Sequence, residues 1–240
     1  MDMQIKKTNK AKLKIKADKV EKIYYDKERA ETEYNNYNKL YSIMKEAKQE
    51  NWNFKSPQIY RLNNNRLTME KARGLSLDSL INEGKYEASY YTGVYLGVFQ
   101  KLTRHAESGK CISYGDYNRT NLFVDFQNKT VWGIDPGDRF GKFKKPEYDL
   151  MIMYFSIIIE EIRTRNFYFS SSRKFIKGYR ETVSWKINSF EALKELNKII
   201  KKISIKRYSK IKSCLITIFL GAILSIILFF ILFVEKRDVF

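Results

Sequence analysis

The chain has 240 residues, with 45 lysines and arginines against 27 acidic residues, for a formal net charge of +18. A hydrophobic share of 44% with 15% aromatic residues supports a packed core and excludes wholesale disorder. Two cysteines, Cys111 and Cys214, exclude a disulfide framework, and one histidine, His105, excludes a Cys/His zinc cluster and weakens any Ser-His-Asp chemistry. The length suits one domain or two small ones, and the cysteine usage suits a reducing compartment. The positive charge is compatible with nucleic acid, an anionic membrane surface or phosphorylated ligands. Its dispersal, with the tightest run just before a C-terminal apolar segment, disfavours nucleic acid, as does the lack of any DNA- or RNA-binding motif.

In chain order, residues 11–25 alternate Leu13 and Ile15, turn at Ala17-Asp18-Lys19 and continue with Val20, Ile23 and Tyr24, which predicts a β-hairpin. Over residues 26–50, Tyr34, Tyr37, Leu40, Tyr41 and Met44 recur at helical spacing behind the capping residue Asp26. A second hairpin is expected from strands at 59–62 and 66–70 around Asn63, Asn64 and Asn65. Helices follow at 75–82 and 86–107, the second with a stripe of Tyr90, Val94, Leu96, Val98 and Leu102. A strand pair at 122–125 and 130–134, joined through Asn128, precedes helical stretches at 148–163 and 175–203. His105 reads as a structural residue at a helix end, and Asp125 and Asp138 as turn residues.

Residues 214–234, CLITIFLGAILSIILFFILFV, carry no charge and as a helix would cross about 30 Å of hydrocarbon. A buried core helix is the other reading, but such helices are usually shorter and carry a polar stripe. Lys194, Lys198, Lys201, Lys202, Lys206, Arg207, Lys210 and Lys212 precede the segment, and only EKRDVF follows it. The positive-inside rule then keeps everything upstream in the cytoplasm. The basic run reads either as a helix reaching anionic lipid headgroups or as a solvated helical face.

The chemistry concentrates in Tyr114-Gly115-Asp116-Tyr117-Asn118-Arg119-Thr120-Asn121, followed beyond the strand pair by Ile134-Asp135-Pro136-Gly137-Asp138. A carboxylate can orient a hydroxyl and accept its proton, while an amide five residues on and a second carboxylate offer hard oxygens to Mg²⁺. That division of labour is phosphoryl transfer.

This stretch resembles the catalytic core of the protein-kinase-like superfamily, closest to aminoglycoside phosphotransferases and lipopolysaccharide-core sugar kinases, where His-Gly-Asp-x-x-x-x-Asn precedes Ile-Asp-x-Gly. The resemblance makes Asp116 the catalytic base, Asn121 and Asp135 the metal ligands, and Gly115 and Gly137 structural glycines. Asp149, in Tyr148-Asp149-Leu150, becomes the brace of the catalytic loop. It also places Lys22 against nucleotide phosphates with Glu33 as its partner, and Met69, Glu70, Lys71 and Ala72 at the hinge that meets adenine. Tyr114 replaces the usual histidine, and residues 1–73 contain no glycine, so the glycine-rich phosphate loop is missing.

The implied fold is α+β: a bilobal protein-kinase-like fold with a reduced N-lobe, followed by a C-terminal transmembrane helix. Residues 1–73 would form the nucleotide-binding lobe, 74–193 the helical lobe, 194–212 a basic juxtamembrane helix, 213–234 the span and 235–240 a short tail. The implied cofactors are ATP and Mg²⁺, with a single-pass membrane location and the catalytic domain in the cytoplasm. The acceptor expected is a small molecule or a sugar hydroxyl of a lipid-linked or envelope glycan. The alternatives are a membrane-tethered pseudokinase, and a protein Ser/Thr kinase, for which the 137–149 segment is short and lacks Ala-Pro-Glu.

Overall fold

The N-terminal hairpin forms as its alternation requires, and a computed structural model, which describes residues 4–8, 10–49 and 51–207, extends it into a five-stranded antiparallel sheet. Strands β1 (Gln4–Lys7), β2 (Ala11–Ile15) and β3 (Lys19–Tyr24) lead into α1 (Lys27–Met44). Strand β1 escapes sequence reading because Gln4-Ile5-Lys6-Lys7 has one apolar residue, itself half-exposed. Asp26 caps α1 by accepting from the Glu28 N–H at 3.0 Å. The helix ends at Met44 rather than near Glu50, because the chain turns into β4 (Lys48–Gln49) and β5 (Trp52–Lys55), burying Trp52 and Phe54.

Strands β6 (Ile59–Asn63) and β7 (Arg66–Glu70) form the second hairpin, with Asn64 in the left-handed region at φ +52°. The sheet order is β1-β2-β3-β7-β6. Ala11, Tyr24, Ala30, Tyr37, Leu67 and Met69 make a small core between this sheet and α1.

The second half contains β8 (Leu75–Ser76), α2 (Leu77–Asn82), α3 (Glu87–Thr103), β9 (Cys111–Ile112), a 3₁₀ turn at Arg119–Asn121, β10 (Leu122–Asp125) and β11 (Thr130–Gly133). Strand β12 (Phe143–Lys144) and helices α4 (Glu147–Arg163), α5 (Ser170–Thr182) and α6 (Ser189–Arg207) complete it. Strand β5 pairs in parallel with β11, giving the order β4-β5-β11-β10-β8. Residues 48–55 therefore pair with the β10–β11 hairpin and not with the N-terminal sheet. The large core runs from Leu40 on α1 to Ile200 on α6.

Residues 175–203 do not form one helix. Val183 is extended at the end of α5, and Asn188 starts α6 by accepting from the Glu191 N–H at 3.2 Å. Helix α5 begins earlier than expected because buried Glu161 accepts from the Ser171 N–H at 2.6 Å and so caps its first turn. Helix α6 packs on α4 with Ala192, Leu196 and Ile200 buried, so a boundary at 193/194 falls inside a helix of the main core. Among the described residues no helix is long and apolar enough to cross a membrane; residues 213–234 and the tail at 235–240 lie outside them.

Candidate active site

The loop from Ser113 to Asn121 is held by a carboxylate at the start of α4. Asp149, buried, accepts from the Tyr114 N–H at 2.8 Å, the Ser113 hydroxyl at 3.0 Å and the Gly115 N–H at 3.4 Å. Burial pushes the Asp149 carboxyl up to about 6, and the three donors work against that rise. Gly115 has φ +88°, and a β-carbon there would stand 2.7 Å from the Phe140 nitrogen, so only glycine fits this turn. The structure thus brings Gly115 and Asp149 together at the start of this loop.

The two halves of the motif are joined. The Tyr114 hydroxyl donates to the Ile134 carbonyl at 2.9 Å, and the Gly137 N–H donates to the Tyr114 carbonyl at 3.1 Å. Tyr114, fully buried against Tyr95, Phe99, Tyr117 and Phe140, supplies packing and a hydrogen-bond donor at the start of this loop. A β-carbon on Gly137 would lie 2.7 Å from the Asp116 β-carbon, so Gly137 lets the second loop close over the proposed base. The Asn121 amide donates to the Asp116 carbonyl at 3.0 Å and to its carboxylate at 3.3 Å, while the Ile134 N–H donates to the Asn121 carbonyl at 2.9 Å.

Asp135 sits in the left-handed region at φ +56°, which residues with side chains rarely adopt. Its N–H donates to the Tyr37 hydroxyl at 2.8 Å, and its carboxylate is ion-paired with Lys22. Lys22, buried on β3, also lies 3.2 Å from Glu33 on α1 and 3.5 Å from the Tyr37 hydroxyl. Glu33 in turn accepts from the Tyr24 hydroxyl. Burial alone would pull the Lys22 ammonium down, but Tyr37, Asp135 and Glu33 outweigh it and hold the group well above the ordinary lysine value. Lys22 therefore stays charged although buried, while its partner Asp135 remains partly exposed.

The hinge segment leaves β7 along the edge of the small core. The Met69 side chain is buried in that core, and its backbone lies in β7 between β3, where it is opposite Val20, and β6, where it is opposite Ile59. The Glu70 N–H donates to the Gln58 carbonyl and the Lys71 N–H to the Asp18 carbonyl, at 2.9 and 3.0 Å. Ala72 follows beyond the strand.

Three contributors went unread in the sequence. Tyr37 was placed on the Glu33 face of its helix by spacing alone, and that shared face was its only signal. Arg119 ties the catalytic loop to α2 and α4 by donating to Asp78 at 2.5 Å and to buried Glu160 at 2.9 Å. Asp138 is more than a turn residue, since Arg29 of α1 reaches it at 3.0 Å. Asp125 does act in a turn, accepting from the Asn128 N–H at 3.0 Å, and His105 bonds locally to Ser108 beyond α3.

A cavity of about 570 Å³ opens against Asp116 and Gly137, with Tyr148, Ile152 and Ile199 among its walls. Asn121 commits its NH₂ to Asp116, which leaves its amide oxygen, with the Asp135 carboxylate, as hard donors. Among the described residues no group of three or more His, Cys, Asp or Glu could hold a metal alone. Two oxygen donors beside an open cleft suit Mg²⁺, which keeps several waters and takes oxygens from phosphates. The donor set fits a metal that arrives with a nucleotide.

No family model and no curated protein matches the chain in sequence. Solved structures do match in fold. The ternary complex of the aminoglycoside phosphotransferase APH(2'')-IIa with streptomycin and ATP aligns with a TM-score of 0.58 at 12% identity, over 89% of this chain and 90% of that one. The macrolide 2'-phosphotransferase MphH of Brachybacterium faecium aligns at 0.56 and 7% identity, over 85% and 84%. A choline/ethanolamine kinase family protein of Mesorhizobium loti aligns at 0.52 and 8% identity, over 94% and 80%. The described chain shares the mixed α+β fold of these structures, which are phosphotransferases and a kinase family protein.

Proposed function

We propose that the protein is a phosphotransferase that uses ATP with Mg²⁺ to phosphorylate a hydroxyl group. The observation that carries this reading is convergence: Lys22 and Glu33 from the N-terminal half meet Asp135 from the second half, and the Asp135 loop closes on Asp116 and Asn121. A structural ion pair alone would not also need a carboxylate held by Gly137 and Asn121 at the mouth of a cavity. Lys22, kept charged and oriented by Glu33, binds phosphate oxygens, and the hinge backbone meets the base. Asp135 and Asn121 would hold Mg²⁺, which when bound neutralises phosphate charge. Asp116 orients the acceptor hydroxyl and takes its proton, a contribution of about 10²- to 10⁴-fold.

The acceptor we favour is a sugar hydroxyl of a lipid-linked or envelope glycan, of the lipopolysaccharide-core type. Two features support it: the neighbour solved in complex with streptomycin and ATP holds a sugar-containing molecule together with the nucleotide in this fold, and the uncharged segment at 214–234 would tether the catalytic region to the cytoplasmic face of a membrane. A second reading, a pseudokinase acting as a tethered binding module, is favoured by the turn between β1 and β2. There the Thr8 hydroxyl oxygen accepts from the Lys10 and Ala11 N–H groups at 3.2 and 3.0 Å, consuming donors that a phosphate loop would offer. Transfer of label from γ-labelled ATP to envelope glycans by the full chain in liposomes decides between them. Labelled glycan supports the enzyme, and nucleotide binding without labelled glycan supports the binding module.

A further inference from the structure

We infer that the acceptor is anionic, a hydroxyl compound already bearing a phosphate or carboxylate group, recognised by a cationic wall on α6. This deepens the phosphotransferase reading and rests on it. The cavity against Asp116 is walled on one side by Glu195, Lys198 and Lys202 of α6, and elsewhere by Lys10, Asp138 and Arg139. Two of these acids are already neutralised locally: Glu195 lies 2.6 Å from Lys198, and Asp138 lies 3.0 Å from Arg29. Arg139 donates to the Tyr148 hydroxyl at 2.6 Å, and neither it nor Lys202 has an acidic partner within 4 Å among the described residues. Asp116 is then the one carboxylate in the cavity without a cation of its own, and it faces unpaired Arg139 and Lys202 together with Lys10, which is 3.9 Å from Asp138.

Such a wall discriminates by charge sign. The neighbouring enzymes were solved with streptomycin, gentamicin and kanamycin, which are polycations. A polycation entering this cavity would meet unpaired cations at short range, whereas a phosphate or carboxylate would be paired and hydrogen-bonded by them. The wall is an intrinsic part of the fold, because the opposite face of α6 is anchored in the core by Ala192, Leu196 and Ile200. The basic residues of α6 thus read as the lining of a binding site as well as a charge run preceding an apolar segment.

The test is titration calorimetry on the full chain in neutral detergent at low salt, with Mg²⁺ and a non-hydrolysable ATP analogue present. Glucose 6-phosphate, glucuronate, glucose and kanamycin serve as matched probes. Glucose 6-phosphate and glucuronate should bind at least about tenfold more tightly than glucose, and kanamycin more weakly than glucose. K198Q/K202Q should abolish that preference, with circular dichroism and the melting curve confirming the fold, and K198R/K202R should restore it. E195Q, which removes an acid from the wall, should tighten glucose 6-phosphate. Kanamycin binding more tightly than glucose 6-phosphate, or a preference unchanged in K198Q/K202Q, would overturn the inference. A parallel titration of the ATP analogue with Mg²⁺ into the free protein reports nucleotide binding separately: its presence without an anion preference sinks only this inference, and its absence sinks the phosphotransferase reading.

Discussion

Replacing Asp149 separates two roles that one buried carboxylate combines, the support of the catalytic loop and the cost of a charge away from water. With its carboxyl pushed up to about 6 by burial, against about 4 in an unfolded chain, the native state binds the proton more tightly by roughly two units, or about 3 kcal/mol. The sign follows directly. The folded-state pKa is raised, so this group's contribution is most favourable below about pH 4, and it is lost as pH rises through about 6.

Asp149→Asn removes the buried charge while its amide oxygen still accepts from the Tyr114 N–H. Ser113 can rotate to accept from the new NH₂, and only the 3.4 Å bond from Gly115 is lost, whose N–H also reaches Ser113 Oγ at 3.1 Å. At pH 7.5 the variant should be more stable than wild type by about 1–2 kcal/mol, a rise in Tm of roughly 2–8 °C, with a flatter profile between pH 4.5 and 7. Asp149→Ala instead leaves buried donors at Ser113 and Tyr114 without an acceptor, at about 1–3 kcal/mol each. It should melt below Asp149→Asn at every pH and speed hydrogen exchange at the Tyr114 and Gly115 amides. Calorimetric melts across pH, with exchange mass spectrometry on the same proteins, read both effects. A pH profile identical in wild type and Asp149→Asn, or unchanged exchange at those amides in Asp149→Ala, would refute the reasoning.

Three further outcomes follow from the same geometry. Asp116→Asn should keep Mg·ATP affinity and lower transfer by about 10²- to 10⁴-fold, whereas Asp135→Ala should weaken Mg·ATP binding as well; calorimetry paired with a transfer assay distinguishes the two. Tyr37→Phe removes the acceptor of the Asp135 N–H and should cost about 1–3 kcal/mol in a thermal melt, while raising KM for ATP. Truncation after Lys212 should leave Tm unchanged by calorimetry, since the core formed among the described residues closes between Ala11 and Ile200. The truncated protein should keep its rate on a water-soluble acceptor and lose rate on one embedded in liposomes, where tethering raises effective concentration.

What the sequence disclosed and what it concealed divide along contact distance in the chain. Asp116, Asn121, Asp135, Gly137 and Asp149 fall within one run, to which the resemblance assigns their roles, and in the structure Asn121 bonds Asp116, Asp149 holds the Tyr114 N–H and Gly137 lies against Asp116. The Lys22–Glu33 pair was legible because Glu33 shares a helix face with Tyr37 and Leu40. The parallel pairing of Trp132 with Lys55 was not, since a two-residue alternation at Trp52 and Phe54 carries no information about a partner so distant in sequence. The break between α5 and α6 is marked in the sequence only by Val183, Trp185 and Ile187, which recur every second residue, an extended and not a helical period, and the buried Glu161 and Glu147 carboxylates show where each helix starts: Ser171 N–H donates to Glu161 and Asn188 N–H to Glu147 at 2.8 Å. The basic run on α6 was read for its charge alone. Its apolar face, packed on α4, is what puts Lys198 and Lys202 beside Asp116.

The most direct test of the account is a calorimetric titration of the purified full chain with ATP, performed with Mg²⁺ and again in excess chelator. The donor set of Asn121 and Asp135 has too few oxygens to hold a metal alone and places a carboxylate against phosphate charge, so binding should need the divalent ion and should fall sharply in Asp135→Ala. Equal ATP affinity with and without divalent metal, or no binding under either condition, would contradict the account.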